Sequence, residues 1–516
     1  MKLLRFCLTT ILILGIFFRF VNIEKKLYWY DETHTSMRIA GYTPQEIRSN
    51  LYTGSLISPL DIQKYQRLNS ERSLIDTVNA LAVYEPQHPP LYYAMARLWA
   101  QCFGDSVAAI RSLSAFISLL TFPCIYWLCL ELFSSPLVGW LGMGLIAVSP
   151  FHVLYAQEAR QYSLWTVTIL LSSATLLQAI RVKTKLSWGI YAIALALGLY
   201  TFPLTIFVVT GHAIYVCINE RFRLSKTSIA YLLASLGAII AFIPWLWLII
   251  TRFERFEKTT GWVTNKKGVL FLFKEFFSRM SRLFVDFNRF DEEIKSIYLI
   301  AWLLMALIVL IVSVYSAYFL YQNKPKKWFF VVLLIAVTPL GLLIPDLVTG
   351  GIRVTVSRYV IPCYLAIHLS VAYLLASNIA SSVDRKKQHI WRLLTIVLLS
   401  AGLLSCGVSS QAEFWNIKGS EDSRPLAAIV NQADNPLVIS DASVGTVMEL
   451  SYLLDPKVRL QLVVKSNNIP SIPANGFSDV FLYRGSKGLR QGLEQEQNYN
   501  VEVIPALKDK LWRVEK

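Results

Sequence analysis

The sequence predicts an α-helical polytopic membrane protein of about eleven spans, closed by a small extracytoplasmic α/β domain. Three observations predict it. Apolar residues make up 54% of the 516 and charged residues only 16%, where a soluble protein carries about 25%. The apolar residues gather into runs near the ~20 that a helix needs to cross hydrocarbon. The Lys and Arg between those runs fall in alternate gaps, as the positive-inside rule requires. With a mean hydropathy of +0.46, the chain is excluded as a disordered segment, a coiled coil or a cytosolic enzyme.

The N-terminus, KLLRFCLTTILILGIFFRF, begins like a signal sequence. No A-x-A-like cleavage site follows, so it reads as an uncleaved first span over 3–22. Ten more spans are predicted over 108–131, 137–155, 161–181, 187–203, 204–219, 228–250, 295–319, 328–345, 359–379 and 390–408. The gaps Arg181–Lys185, Glu220–Lys226, Lys324–Lys327 and Asp384–Lys387 are basic. They read as cytoplasmic, which puts the N-terminus inside and the tail outside. The segment Pro89 to Phe103 is apolar but too short to span, and reads as an interfacial helix on the outer leaflet. Residues 1–410 then form the membrane domain, with external loops over 23–89 and 251–293, and 411–516 form the extracytoplasmic domain. That tail alternates helical stretches (Ser420 to Ala433, Val444 to Leu454) with β-rich runs (437–440, 458–464, 479–483, 501–504), the pattern of a small α/β fold.

The net charge of +16 does not indicate nucleic acid. The tail from Asn416 to Lys516 carries as many acidic as basic residues, so the excess lies in the membrane part, where cytoplasmic loops account for it. The seven cysteines sit mostly in apolar runs without a C-x-x-C. They read as small buried hydrophobes rather than a disulfide framework or metal site.

Four polar clusters lie at predicted outer boundaries, where ionisable groups are costly and need a reason. The first joins Arg19 to Tyr28-Trp-Tyr-Asp-Glu-Thr-His34. It sets the carboxylates of Asp31 and Glu32 at the lip of the membrane, although a solvated loop start with ordinary charges accounts for an acidic pair alone. The second is Tyr84-Glu-Pro-Gln-His-Pro-Pro-Leu-Tyr-Tyr93, whose two prolines start a helix and fix His88 at the surface. Glu85 and His88 are candidate metal ligands, or His88 is a phosphate contact or simply structural. The third, Ser149 to Tyr162, brings His152, Glu158 and Arg160 to the same side. A paired Glu158–Arg160 surface turn is its bland alternative. The fourth, Gly350 to Tyr359, places Arg353 and Arg358 to meet an anion at headgroup depth. Lipid headgroup binding explains either arginine alone equally well. Acids, imidazoles and guanidiniums around a lateral opening suit a lipid-phosphate donor. Its leaving group departs as a stable anion held by cations, and the acceptor hydroxyl needs only a carboxylate base.

These motifs resemble the GT-C type membrane glycosyltransferases, and most nearly glycosyltransferase family 39, which includes protein O-mannosyltransferases and the lipid A aminoarabinose transferase. Arg19-Phe20 followed by Asp31-Glu32-Thr33-His34 is similar to that family's Arg before an Asp-Glu pair. His88-Pro89-Pro90-Leu91, Phe103-Gly104-Asp105 with Arg111, Ser149 to His152 running into Gln157 to Arg160, and Ser357-Arg358-Tyr359 with Pro362 resemble its later motifs in order. The resemblance implies a polyprenyl-phosphate sugar donor, transfer at the external face and inversion at the anomeric carbon. It assigns Asp31 as base, Glu32 as the group shaping its field, and Glu158 as a second acid. Arg19, His88, Arg160 and Arg358 would contact donor phosphate or sugar, and Arg353 and Tyr359 stand beside them as candidate donor contacts. It implies no certain cofactor and leaves a divalent metal open. The partners it implies are the lipid-linked donor, a lipid, glycan or protein acceptor, and membrane lipids. The implied location is the cell (inner) membrane. Two alternatives use the same groups: a lipid-linked saccharide transporter or flippase, and an oligosaccharide polymerase or ligase with a lipid pyrophosphate donor. A transporter would favour broken helices at mid-membrane in repeated halves, and no such repeat is visible.

Overall fold

A computed structural model describes residues 2–286, 295–380, 385–415, 422–464, 469–473 and 476–516. The end of the loop expected over 251–293, Asp384 of the last basic gap and the start of the helix expected from Ser420 lie outside the described residues. The chain divides into two compact units. The first comprises Met1–Lys25, Glu85–Tyr92 and Arg111–Ala412; the second comprises Lys26–Tyr84, Tyr93–Ile110 and Glu413–Lys516.

The first unit is helical, and a helix occupies each of the predicted span positions. Among the described residues, seven helices are individually long and apolar enough to cross a membrane: Val107–Phe133, Tyr162–Val182, Lys226–Thr251, Leu303–Asn323, Pro325–Val348, Ile361–Ala380 and Arg385–Gln411. An eighth span arises if Pro136–Ala147 and Pro150–Ala156, bent by 63°, cross together. Three expected spans fall outside that count: Lys2–Phe20, Lys185–Thr201 and Thr205–Asn219. The last two run only 17 and 15 residues. Buried cysteines are Cys129, Cys363 and Cys406, whereas Cys7, Cys102 and Cys217 are exposed on apolar helices. The expectation of burial fails at those three because an apolar helix can face lipid as readily as protein.

The bend has a local cause. Ser149 is extended, with φ −69° and ψ 115°, as a residue before proline prefers. Pro150 then starts a new helix. A break of this kind strands the last carbonyls of the preceding helix, and the sequence meets that need elsewhere in the chain, as the site shows.

The second unit is an α/β fold around one six-stranded sheet. Its strands are β1 (Thr53–Ile57), β2 (Pro436–Ser440), β3 (Arg459–Val463), β4 (Asp479–Tyr483), β5 (Asn500–Val503) and β6 (Leu511–Glu515), in the order β1-β3-β2-β4-β6-β5. The central β3-β2-β4 ladder is parallel and the outer pairs are antiparallel. The tail therefore has the predicted α/β character, with β6 added beyond the four predicted strands. The tail from Glu413 and the loop residues Lys26–Tyr84 fall in one unit. The reason is backbone pairing: β1, from the loop, joins β3 antiparallel, with Thr53 opposite Val463 and Ile57 opposite Leu460. Loop and tail also share a core, in which Met37, Ile47, Leu51 and Ile62 meet Val438, Met448, Leu460 and Phe481. Alternation in β2 sends Val438 to that face, while Leu437 and Ile439 pack on the other with Leu489, Leu493 and Trp512. Helix starts in the loop are fixed by reciprocal caps, Thr43 with Glu46 and Ser58 with Asp61. Their hydrogen bonds hold the Asp61 carboxyl below the usual carboxylate range.

Candidate active site

In the first unit the site residues cluster around the turn after the bent pair. Glu158 and Arg160 are 4% and 2% exposed, so the surface-turn alternative for them does not hold. The Arg160 N–H donates to the Glu158 carbonyl (2.7 Å), and the Arg160 carbonyl accepts from Ser114 Oγ (3.3 Å). Next in the chain, Gln161 Nε2 lies 3.4 Å from His88 Nδ1. This ties the His-Pro-Pro segment to the same turn. Trp245 Nε1 donates to the Pro86 carbonyl (2.9 Å), fixing that segment from a second helix.

Tyr162 links the arginines. Arg160 lies 5.9 Å and Arg358 5.7 Å from its ring centroid. Arg358 also stands 5.4 Å from the Trp262 ring and 5.8 Å from that of Tyr359. Aromatic faces attract a guanidinium through the ring quadrupole. Arg358 sits on a short 3-10 turn, Ser357–Tyr359, entering the helix Ile361–Ala380.

Two arginines in the expected phosphate set have other engagements. Arg353 donates to Asp346 Oδ1 (2.9 Å) and to the Gly350 carbonyl (3.1 Å), while Asp346 Oδ2 accepts from the Val354 N–H (2.8 Å). This closes the turn that leads to Arg358. The turn depends on Gly351, whose φ of +155° disfavours a side chain and whose missing Cβ leaves room for Asp346 and Arg353. Arg19 is 1% exposed. Its guanidinium donates to the carbonyls of Gly15 (2.7 Å), Ala147 (2.8 Å) and Ile146 (3.1 Å) and to Ser118 Oγ (3.1 Å). It thus caps the carbonyls stranded at the 63° bend. Gln157 answers it from beyond the bend, donating to the carbonyls of Phe18 (3.0 Å) and Val21 (2.9 Å) at the end of the first helix. Each segment caps the other.

In the second unit, Asp31 and Glu32 occupy the first turn of the helix Tyr30–Ile39, where the helix dipole favours carboxylates. Glu32 is fully buried and Asp31 partly exposed. No side chain of Trp29, the residue at the cap position, bonds the helix start. Instead Glu449 Oε2, from the tail helix Val444–Ser451, accepts the Tyr30 N–H at 2.9 Å. Burial raises the Tyr30 phenol above its ordinary value, with the charge of Asp31 adding to it and a hydrogen bond from Ser443 opposing it. In the helix Leu91–Phe103, Arg97 donates to the backbone of Ile39 and Arg72, so the arginine of the expected interfacial helix is buried against the loop.

Glu85 and His88 form a turn in which the His88 N–H donates to the Glu85 carbonyl (3.0 Å). Among the described residues, no three His, Cys, Asp or Glu side chains gather as a metal ligand set. The sequence reading missed Gln157, Gln161, Tyr162, Trp262 and Glu449. Gln157, Gln161 and Tyr162 lay inside a quoted motif, while Trp262 and Glu449 carry no local signal.

This arrangement is that of a multi-pass membrane protein with the GT-C glycosyltransferase fold. Residues 87–248 match the family model described as dolichyl-phosphate-mannose-protein mannosyltransferase, a stretch that contains His88, Glu158 and Arg160. Among solved structures, the chain is similar to ArnT from Cupriavidus metallidurans bound to undecaprenyl phosphate. The identity is 10% and the TM-score 0.54, over 98% of this chain and 97% of that one. It is also similar to the apo oligosaccharyltransferase of Archaeoglobus fulgidus, at 10% identity and a TM-score of 0.51, over 89% of this chain. There it spans 64% of the other protein's length. No curated protein sequence matches the chain.

Proposed function

We propose that this protein is an integral-membrane glycosyltransferase of the cell (inner) membrane, which moves one sugar from a polyprenyl-phosphate donor to an acceptor hydroxyl on the extracytoplasmic face. The observation that carries the reading is the pair Arg160 and Arg358 on the Tyr162 ring, two cations in an aromatic setting suited to a lipid phosphate. The family match over 87–248 and the undecaprenyl phosphate held by the ArnT structure support the donor class.

In this reading Arg160 and Arg358 hold the donor phosphate, with Tyr359 and His88 beside them. Asp31 takes the proton of the acceptor hydroxyl, Glu32 shapes its field and Glu158 serves as the second acid. The acceptor oxygen attacks the anomeric carbon as the bond to the phosphate oxygen breaks. Polyprenyl phosphate leaves as an anion, and a single displacement inverts the configuration. Arg19 and Arg353 are left out of the donor contacts in this reading, since Arg19 donates to backbone carbonyls and Arg353 Nη1 to Asp346 and the Gly350 carbonyl.

The test is incubation of lipid-reconstituted protein with a radiolabelled polyprenyl-phosphate sugar and a crude envelope extract. Label should appear in a new product; label that stays on the donor lipid, or merely crosses the bilayer, sinks the reading. Arg358→Ala should raise the donor KM by roughly 10- to 100-fold, from loss of a charged hydrogen bond worth about 1.5–3 kcal/mol, with little change in melting temperature. An unaltered KM would remove Arg358 from the donor site. Cysteines placed at Asp31 and Arg358 should both react with an impermeant maleimide from the extracytoplasmic side; labelling of either from the cytoplasm overturns the topology.

A further inference from the structure

We propose that Glu449 is a positioning residue for the Asp31–Glu32 helix, and that this is one function of the α/β tail. The inference rests on the assignment of Asp31 as base.

At the start of the helix Tyr30–Ile39 the residue in the cap position, Trp29, makes no side-chain cap hydrogen bond. Helix starts elsewhere in the same loop are capped from within, by Thr43 and Ser58. Here the acceptor comes from 419 residues away, as Glu449 Oε2 on the Tyr30 N–H. Its other oxygen accepts from Ser423 Oγ at 2.7 Å. Glu449 is 5% exposed, so the carboxylate is fixed by packing and by bonds at both oxygens. A buried carboxylate needs such compensation, and a charged acceptor at a helix N-terminus also gains from the dipole.

The tail helix presses on the same turn at a second point. Gly445 lies one turn before Glu449, and a Cβ there would collide with His34 Nε2 and Tyr30 Cε2. Tyr30 and His34 are themselves in ring contact, 4.7 Å between centroids. One tail helix therefore holds the backbone at Tyr30, immediately before Asp31, and abuts the side chains on either side of the acidic pair. The direction in which Asp31 leaves the backbone is set by the orientation of this turn. A shift of about 1 Å in a reacting group can cost on the order of 100-fold in rate.

The experiment uses full-length, lipid-reconstituted protein and a radiolabelled polyprenyl-phosphate sugar, with turnover expressed per folded molecule. Glu449→Ala is expected to lower kcat roughly 100-fold with the donor KM unchanged. Glu449→Gln keeps an oxygen that can accept the Tyr30 N–H and should restore kcat to within about tenfold of wild type. Gly445→Ala, which leaves the charge in place, should lower kcat in the same way as Glu449→Ala. Hydrogen exchange should show faster opening of the peptide containing residues 30–33 in Glu449→Ala and not in Glu449→Gln. Wild-type kcat per folded molecule in Glu449→Ala overturns the inference, as does equal loss in the alanine and glutamine variants. Should Glu449→Ala fail to fold, Glu449→Gln and Gly445→Ala decide the matter by the same two readouts. Failure of wild-type protein to transfer label would reject the glycosyltransferase reading instead, and unimpaired transfer by Asp31→Asn would reject the base.

Discussion

Asp31→Asn should abolish sugar transfer while the protein still folds and inserts. The acceptor hydroxyl is a poor nucleophile until its proton is removed, and an amide cannot take that proton. Loss of a general base costs about 10²- to 10⁴-fold. Asparagine fills almost the same volume, so packing around the helix Tyr30–Ile39 should persist. The melting temperature is expected to match wild type, and binding of a polyprenyl-phosphate probe should stay within a few-fold. Full transfer by the reconstituted variant would falsify the base assignment. Glu32→Gln makes a useful contrast, because Glu32 is fully buried and should act through stability and field rather than by taking the proton.

Arg19→Leu has the opposite signature. It removes the donors to the carbonyls of Gly15, Ile146 and Ala147 from a place that water does not reach. An unsatisfied buried carbonyl costs about 1–3 kcal/mol, and Ile146 also accepts the Ser149 N–H, so a loss of roughly 1–3 kcal/mol is expected. It should appear as lower yield and a melting temperature several degrees lower in detergent. Arg19→Lys should recover little, because an ammonium lacks the planar fork that spans several acceptors. Wild-type melting behaviour in Arg19→Leu would refute the capping role. A raised donor KM with unchanged stability would return Arg19 to the phosphate set.

The contrast between Arg19 and Arg358 marks the limit of what was legible. Both are arginines at a predicted boundary, and residue type alone says only that a cation there needs a reason. Which reason applies depends on a bend at Ser149-Pro150, in another helix, and on whether carbonyls stranded there point at the guanidinium. Helix positions were legible because hydrocarbon demands contiguous apolar runs. The two short helices Lys185–Thr201 and Thr205–Asn219 show where that rule counts a span more readily than length warrants. In the tail, β2, β3 and β4 stood out by their Val and Leu content. β1, with the sequence Thr-Gly-Ser-Leu-Ile, did not, because a short strand containing glycine has meaning only beside its distant partner. Glu449 was illegible for the same reason: nothing near it in sequence announces the helix that it caps.

The pairing of β1 with β3 also imposes an order on biosynthesis. Thr53 must wait for Val463, which at about 5–20 residues per second leaves the ribosome tens of seconds later. Throughout that interval the segment bearing Asp31 lacks its closing strand and its remote carboxylate cap. A nascent chain arrested before the tail would therefore hold the Asp31 segment without the strand partner and the cap proposed to position it.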